Sequence, residues 1–267
     1  MLRLLINLER ATDRLATMEK RLAALDLDWT HVPAFDCKEF EDGFVEGVHQ
    51  QSADFAKDPG SIGSFMTHRR CWELLVESEN THAFIMEDDI LFGESAETFL
   101  RDSSWIPEPY TKSVIHLETF GRVTIYDADP VASVGKYSLH VQRRLHHGSA
   151  AYVIHRDAAA RALAASQDLN QAPDIFLFTP PPRNAVQNLP VLQIVPAPFV
   201  QEDILQRMTG RVAEHKSMIA ATRKGHRKGL AKIQAKLAHS LGKRGIILAG
   251  KLMDNRRRTK TGTIGFE

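Results

Sequence analysis

The sequence predicts an α/β domain over residues 1–205, followed by a basic, partly helical C-terminal extension over residues 206–267. Three observations carry this. Apolar runs of strand length alternate with segments of helical period from the start of the chain to residue 195. One of those runs ends abruptly in three consecutive carboxylates, Glu87-Asp88-Asp89. The charge is divided: residues 1–205 hold 18 Lys and Arg against 30 Asp and Glu, and residues 206–267 hold 16 against 3. A formal net charge of +1 thus conceals an acidic body of −12 and a tail of +13.

Residues 2–8 form an apolar run broken only by Arg3 and Asn7, which reads as a buried strand. Leu15, Met18, Leu22 and Leu25 then fall on one helical face, predicting a helix over 12–25. Residues 29–34 supply the next strand, so the opening is strand–helix–strand with parallel pairing. Residues 36–60 are polar and irregular, a loop with a short helix. Pro59-Gly60-Ser61 punctuates the chain, and a helix is expected over 62–78 with Ser61 as its N-cap. Strands follow at 83–86 and 114–117. Residues 90–92 are apolar again, 123–126 and 139–141 look like a small antiparallel addition, and a strand at 150–154 leads into an Ala-rich helix at 157–165. The last strand is 191–195, before Pro196 and Pro198.

Beyond Arg207 the composition changes. Residues 213–221 suit a helix. Over 223–251, Leu230, Ile233, Leu237 and Leu241 mark one helical face among Lys and Arg, although five glycines weaken that helix. The final dozen residues look disordered. Such a tail fits an anionic membrane surface, the acidic body of the protein itself, or nucleic acid. With no Trp or Tyr and only Phe266 for base stacking, the membrane surface is the expected partner and nucleic acid is not.

At 267 residues, 43% apolar and 25% charged, the chain excludes collagen-like, disordered and disulfide-scaffold classes. Two cysteines without paired spacing, Cys37 and Cys71, exclude a Cys-rich zinc module and point to a reducing compartment. No apolar run approaches the roughly 20 residues that span a bilayer. The N-terminus becomes charged too early for a signal peptide. A cytoplasmic protein, peripheral on the inner membrane face, is the expectation.

The acidic triplet is the strongest chemical signal. Three adjacent carboxylates at a strand end repel one another, and a hard divalent cation, Mg²⁺ or Mn²⁺, would relieve that repulsion while leaving sites open for substrate phosphates. The carboxyl end of a strand is also where open α/β sheets place ligands. A solvated acidic turn is the plain alternative. With no Walker sequence and no G-x-G-x-x-G, a bound nucleotide would be held mainly through its metal.

Four segments in order now carry a resemblance. They are Ile6-Asn7-Leu8-Glu9-Arg10 with Asp13-Arg14, the stretch from Gly60 to His68, the run from Ala83 to Ile90 ending in the triplet, and Gly148-Ser149-Ala150-Ala151-Tyr152-Val153-Ile154 with the helix after it. Together they resemble glycosyltransferase family 25, which includes bacterial lipopolysaccharide and lipooligosaccharide sugar transferases. Ser64 stands where that family commonly has Cys, and His155 where Ser is common; the basic extension lies outside the resemblance. The resemblance implies a GT-A-like nucleotide-sugar-binding domain, a donor such as UDP-galactose, and transfer to a saccharide or lipid-linked saccharide with inversion at the anomeric carbon.

Expected roles follow. Asp89 and Asp88 are the first metal ligands, with Glu87 facing the donor ribose or the hydrogen bonds at the strand end. His146 or His147 would add a softer third ligand, and His147 is chosen. Asn7, Arg10, Arg14, Gly63, His68 and Asp88 are the donor-binding set; for Arg10 and Arg14 local salt bridges with Glu9 or Asp13 are the competing role, for Asn7 a turn cap, and for His68 a packed side chain. Asp174, Glu202, Asp203 and Glu118 are candidates for the base that takes the acceptor proton. Asp174 is favoured, with an N-cap after Pro173 as its competing role, and Gln201, Glu202 and Asp203 are placed on the acceptor side. Two readings of other classes remain open: a non-enzymatic membrane- or RNA-binding protein, and a metal-dependent phosphohydrolase.

Overall fold

Leu4, Leu5 and Ile6 are buried in succession because β1 (Leu2–Asn7) runs inside a sheet covered on both faces. The structure, a computed structural model, describes residues 1–41, 59–167, 171–182, 186, 189–210 and 258–267. After β1 come α1 (Thr12–Ala23) and β2 (Thr30–Pro33), which pairs parallel to β1. The helix α2 (Pro59–Glu77) then crosses the sheet and delivers β3 (His82–Glu87) parallel to the other edge of β1. Connections therefore leave β1 in opposite directions, and the crevice between β1 and β3 at their carboxyl ends is a topological switch point, the place where open α/β sheets bind ligands.

The sheet continues past β3 in mixed fashion. β10 (Ala151–His155) lies antiparallel between β3 and β5 (Val114–His116), and β11 (Val191–Val195) is parallel to β5. β9 (Tyr137–Val141) and β8 (Ala132–Val134) complete an eight-stranded order β2-β1-β3-β10-β5-β11-β9-β8. Alternating side chains divide the interior. Leu5, Phe84, Met86 and Val153 face Met18 and Leu22 of α1. Leu4, Ile6, Ile85 and Tyr152 face Phe65, Trp72 and Leu75 of α2 and the alanines of α4 (Arg156–Ala165). The short α3 (Ala96–Arg101) packs Phe99 and Leu100 into the first of these layers. A small sheet of β4 (Ile90–Phe92), β12 (Phe199–Gln201) and β6 (Glu118–Thr119) sits at the carboxyl end of the main one; α6 (Glu202–Thr209) packs on its β12, whereas α5 (Pro173–Phe178) packs on α2 and β5.

The α/β class and the order of elements agree with the sequence reading, with four corrections. α2 begins at Pro59, so Ser61 lies inside its first turn and is not its N-cap. The segments 123–126 and 139–141 touch through an antiparallel bridge between Tyr126 and Gln142 but belong to different sheets. β9 joins the main sheet, whereas β7 (Val123–Asp127) pairs antiparallel with β13 (Thr259–Thr263) near the end of the chain. Nor are the last residues disordered. The Thr119 hydroxyl donates to the Ile264 carbonyl at 2.7 Å, Ala197 and Gly265 are joined at 2.8 Å, and Ile264 is buried. The short strand was hidden because Thr-Lys-Thr-Gly-Thr lacks an apolar alternation, and its partner strand is 132 residues earlier in sequence. Finally, β12, α5 and α6 were not anticipated; α6 runs across the expected boundary at residue 205. The helices expected at 213–221 and 223–251 lie outside the described residues. No helix among those described is long and apolar enough to cross a membrane.

Candidate functional site

A cleft of about 540 Å³ crosses the carboxyl ends of β1, β2 and β3, the start of β10 and the residues after β6. Its middle is the acidic triplet. Glu87 is the last residue of β3, and Asp88 and Asp89 form the tight turn into β4. Both aspartates are nearly buried, at 9% and 8% exposure. One Arg14 Nη2 lies 2.8 Å from Asp88 Oδ1 and 3.0 Å from Asp89 Oδ2, brought there by the first turn of α1. Asn7, ending β1, donates from Nδ2 to Asp88 Oδ2 at 2.6 Å and to the Ala11 carbonyl at 3.1 Å. Asp89 Oδ1 is buried without a hydrogen-bond partner. Burial pushes the Asp89 carboxyl up to about 8, the Glu87 charge adds to this, and Arg14 opposes it.

Behind Glu87 lies a chain of buried polar groups. The Trp72 indole N–H donates to the Tyr152 hydroxyl at 2.9 Å. The same hydroxyl lies within hydrogen-bond distance of His68 Nδ1, 3.0 Å away, and His68 Nε2 faces Glu87 Oε1 at 3.4 Å. Ser149 Oγ reaches the same Glu87 oxygen at 3.4 Å. His68 is 1% exposed and does not line the cleft, so its expected direct contact with a donor is corrected to contact with Glu87. Gly63 is likewise set back from the cleft and packs on the Phe35 carbonyl; Gly60, Ser61 and Ser64 of α2 face the opening. Arg10 does line it, ion-paired with Asp36, whose carboxyl this contact holds below its ordinary value.

Farther along the sheet, Asp174 lies in the first turn of α5 after Pro173, two positions past the N-cap Ala172. Its Oδ2 accepts from His147 Nδ1 at 3.0 Å and from the Gly148 N–H at 3.3 Å, and its Oδ1 from the Ile175 N–H at 2.9 Å. Burial pushes this carboxyl up, but the His147 contact and the two backbone N–H groups outweigh it and hold Asp174 below its ordinary value. The expected metal set of Asp88, Asp89 and His147 is not assembled. Among the described residues no three His, Cys, Asp or Glu side chains converge as a metal site, and His147 is engaged with Asp174. Glu202 is not part of the cleft lining; Gln201 and Asp203, on either side of it, are, and the Glu202 N–H caps the Asp89 carbonyl at 2.9 Å.

Glu118, fully buried under the cleft, accepts from the Ala150 N–H at 2.5 Å and from Gln201 Nε2 at 3.0 Å. Gly148 has φ +100°, and a Cβ there would meet Glu118 Oε1 at 2.5 Å, so only glycine admits this carboxyl. Burial first, then the Glu87 charge, push Glu118 up to about 8. Nearby, burial lowers His116 and His146 to about 3, which leaves both neutral. The sequence reading missed Asp36, Phe120, Arg122, Ser149 and Arg207, which complete the lining. An aromatic–Gly–Arg step after a strand, Phe120-Gly121-Arg122, was the one available signal.

The first 177 residues match the family model described as glycosyltransferase family 25, lipopolysaccharide biosynthesis protein. The chain belongs to glycosyltransferase family 25. It is 30% identical over 145 residues to the lacto-N-neotetraose biosynthesis glycosyltransferase LgtE of Neisseria gonorrhoeae, covering 52% of this chain and 51% of that one. It is 26% identical over 150 residues to the lipooligosaccharide biosynthesis protein lic2B of Haemophilus influenzae, covering 54% of each. A glycosyltransferase 25 family member of Anopheles gambiae shares 33% identity over 100 residues, covering 33% of this chain and 16% of that one. The chain thus spans about half the length of these two bacterial relatives. The triplet, the Asn7–Arg14 segment and Gly148 all fall within the family match.

Glu118 makes stability pH-dependent with a definite sign. Its ordinary value is 4.5 and its folded value about 8, so the folded state holds the proton more tightly. The resulting stability is complete below 4.5 and is lost as pH rises through about 8. Glu118→Gln, neutral throughout, should reduce the fall in urea-unfolding midpoint between about pH 5 and about pH 8. Asp89 contributes a slope of the same sign and keeps the decline from vanishing. An unaltered slope in the variant would show that Glu118 is ionised in the folded protein.

Proposed function

We propose that this family-25 protein is an inverting glycosyltransferase with a GT-A-like nucleotide-sugar site. In this reading it moves a hexose, galactose being the leading case, from a UDP-sugar to a saccharide acceptor in lipopolysaccharide or other surface-glycan synthesis. One observation carries the reading: a cleft at the switch point of the sheet, with three carboxylates in its middle and a single guanidinium bridging two of them. The relatives' names, lacto-N-neotetraose and lipooligosaccharide biosynthesis, agree with it.

The donor set fits a divalent cation. Mg²⁺ and related ions usually take one or two carboxylates and complete their shell with water and substrate phosphates, so no third protein ligand is required. Asp89, with a buried and unpartnered Oδ1, and Asp88 beside it would hold the ion; His147 would not. When bound, such an ion would neutralise the charge growing on the departing diphosphate.

The remaining work belongs to the chain. The nucleotide lies along the ends of β1 and β2, where Asn7, Arg10 and Asp36 and the first turn of α2 face the cleft. Asp174 accepts the acceptor hydroxyl proton as that oxygen attacks the anomeric carbon from the face opposite the diphosphate. Its lowered pKa keeps it ionised at neutral pH, and His147 and the Gly148 N–H fix its direction. His68 and Ser149 hold Glu87 in place beside the donor.

The basic extension, in this proposal, brings the enzyme to anionic membrane surfaces and leaves the chemistry alone. Each basic residue near such a surface contributes on the order of 1 kcal/mol. Because residues 258–267 pack on the body, a truncation at the start of the extension would also remove β13 and Ile264.

Two sets of outcomes test these proposals. Asp89→Asn, which copies the neutral form of a buried acid, should fold normally and lose sugar transfer. Asp174→Asn should keep donor affinity and lose about 10²–10⁴ in kcat. Near wild-type turnover in either variant would contradict the role given to it. For the extension, replacing residues 212–256 with a Gly-Ser linker should abolish sedimentation with anionic vesicles at low salt and preserve transfer to a soluble acceptor. Vesicle binding that survives the replacement would remove the membrane role.

A further inference from the structure

Four consecutive residues just before β10 touch both acids that flank the reacting bond in this reading. His147 Nδ1 and the Gly148 N–H lie 3.0 and 3.3 Å from Asp174 Oδ2. Ser149 Oγ reaches Glu87 Oε1 at 3.4 Å, and the Ala150 carbonyl accepts from the Glu87 N–H at 2.9 Å. A shift of this segment therefore moves its contacts to Asp174 and Glu87 together. The regular pairing of β10 begins only at Ala151, so residues 147–150 depend on a further support.

Glu118 supplies it. Its backbone is fixed in β6, which pairs with β12, and its carbonyl accepts from Gln193 Nε2 at 3.2 Å. Its side chain is fully buried beneath the segment. Oε1 accepts from the Ala150 N–H at 2.5 Å and Oε2 from Gln201 Nε2 at 3.0 Å, so one carboxyl joins the start of β10 to the end of β12. Gly148 lies against the same group: a Cβ there would be 2.5 Å from Oε1, 2.8 Å from Cδ and 3.1 Å from Oε2. His116, also fully buried, stacks on Phe178 at 4.3 Å and sets its Nε2 3.6 Å from Oε1, closing the layer below. Desolvating an acid is costly, and an apolar side chain would fill this space without that cost. The acid is explained by what it holds. Without it, the Ala150 N–H would lose its acceptor.

We propose that Glu118 is a positioning residue, whose carboxyl fixes residues 147–150 in the cleft and so aligns Asp174 and Glu87 with the reacting bond. The proposal deepens the glycosyltransferase reading and rests on it for the roles of Asp174 and Glu87. Glu118 acts through the segment above it and is not part of the cleft lining.

Two variants separate reach from acidity. Glu118→Gln keeps the length of the side chain and an acceptor for the Ala150 N–H, once the Gln201 amide turns its oxygen toward the new amide. Glu118→Asp keeps the acid and withdraws it by one methylene. Amide hydrogen exchange on the full chain reads the segment without any substrate. In Glu118→Asp the Gly148 and Ala150 amides should exchange about tenfold faster, the size of one lost hydrogen bond, while Tyr152 and Val153 inside β10 keep their rates. The kcat for sugar transfer should fall about 10²-fold, as for a small misplacement of a reacting group, with UDP affinity kept. Glu118→Gln should recover the slow exchange and most of the rate. Where Glu118→Asp does not fold, Gln201→Leu releases the other oxygen from a half-buried position and is read by exchange alone, with faster Gly148 and Ala150 exchange expected and unchanged exchange contradicting the proposal. Unchanged Gly148 exchange in a folded Glu118→Asp, equal behaviour of the Asp and Gln variants, or a loosened segment with wild-type kcat would each overturn the proposal. A segment that loosens in Glu118→Asp and is held in Glu118→Gln, in a protein that transfers no sugar, would support the brace and contradict the glycosyltransferase reading.

Discussion

The structure is organised around an electrostatic imbalance at the end of one strand. Glu87, Asp88 and Asp89 are placed together where β3 meets β4, and the Arg14 guanidinium is paired with two of the three. Folding alone does not favour this. Desolvating carboxylates is costly, and removing a single buried partner typically costs about 3–5 kcal/mol. The chain responds with neutral support: the Asn7 amide on Asp88, the His68–Tyr152–Trp72 chain behind Glu87, and the Glu202 N–H on the Asp89 carbonyl. Among the described residues two buried acceptors here, Asp89 Oδ1 and Asn7 Oδ1, have no hydrogen-bond partner. In the proposed reading, a bound cation and a substrate phosphate would relieve this imbalance.

Other elements serve to hold that centre in position. The β2-β1-β3 order sets Asn7 and Asp88 on neighbouring strand ends, so the switch point is closed by a direct hydrogen bond. Antiparallel β10 enters from the opposite direction and brings Gly148 and Ser149 to the same edge. The end of the chain returns to the small sheet: Ile264 is tied to Thr119, one residue from the buried Glu118 and from Phe120. Sequence distance is thereby converted into a cleft whose lining runs from Ile6 to Arg207.

Much of this was legible in the sequence where local chemistry decides it. The acidic triplet declared itself because no folding rule produces three carboxylates at the end of an apolar strand. Asn7, Arg10 and Arg14 were legible from their spacing after β1, although the partners of Arg14 were not: they lie 74 and 75 residues away, not beside it on α1. His68 and Gly63 were assigned to the donor from motif position; packing turned one inward onto Glu87 and the other onto a backbone carbonyl. Phe120, Arg122 and Arg207 escaped because their meeting depends on α6 docking against Gly121, a contact that no local pattern encodes. The C-terminal strand escaped for the same reason.

The central claim is that the acidic triplet, through a divalent cation, binds the diphosphate of a nucleotide sugar. Thermal unfolding of the full chain with a panel of nucleotide sugars, in Mn²⁺ and in chelator, tests it most directly. A ligand at a hundred times its Kd stabilises by about 2.7 kcal/mol, well within reach of the measurement. The account predicts that a UDP-sugar raises the melting temperature in Mn²⁺ and has no effect in chelator. A shift of equal size in both conditions, or none with any nucleotide sugar, would contradict it.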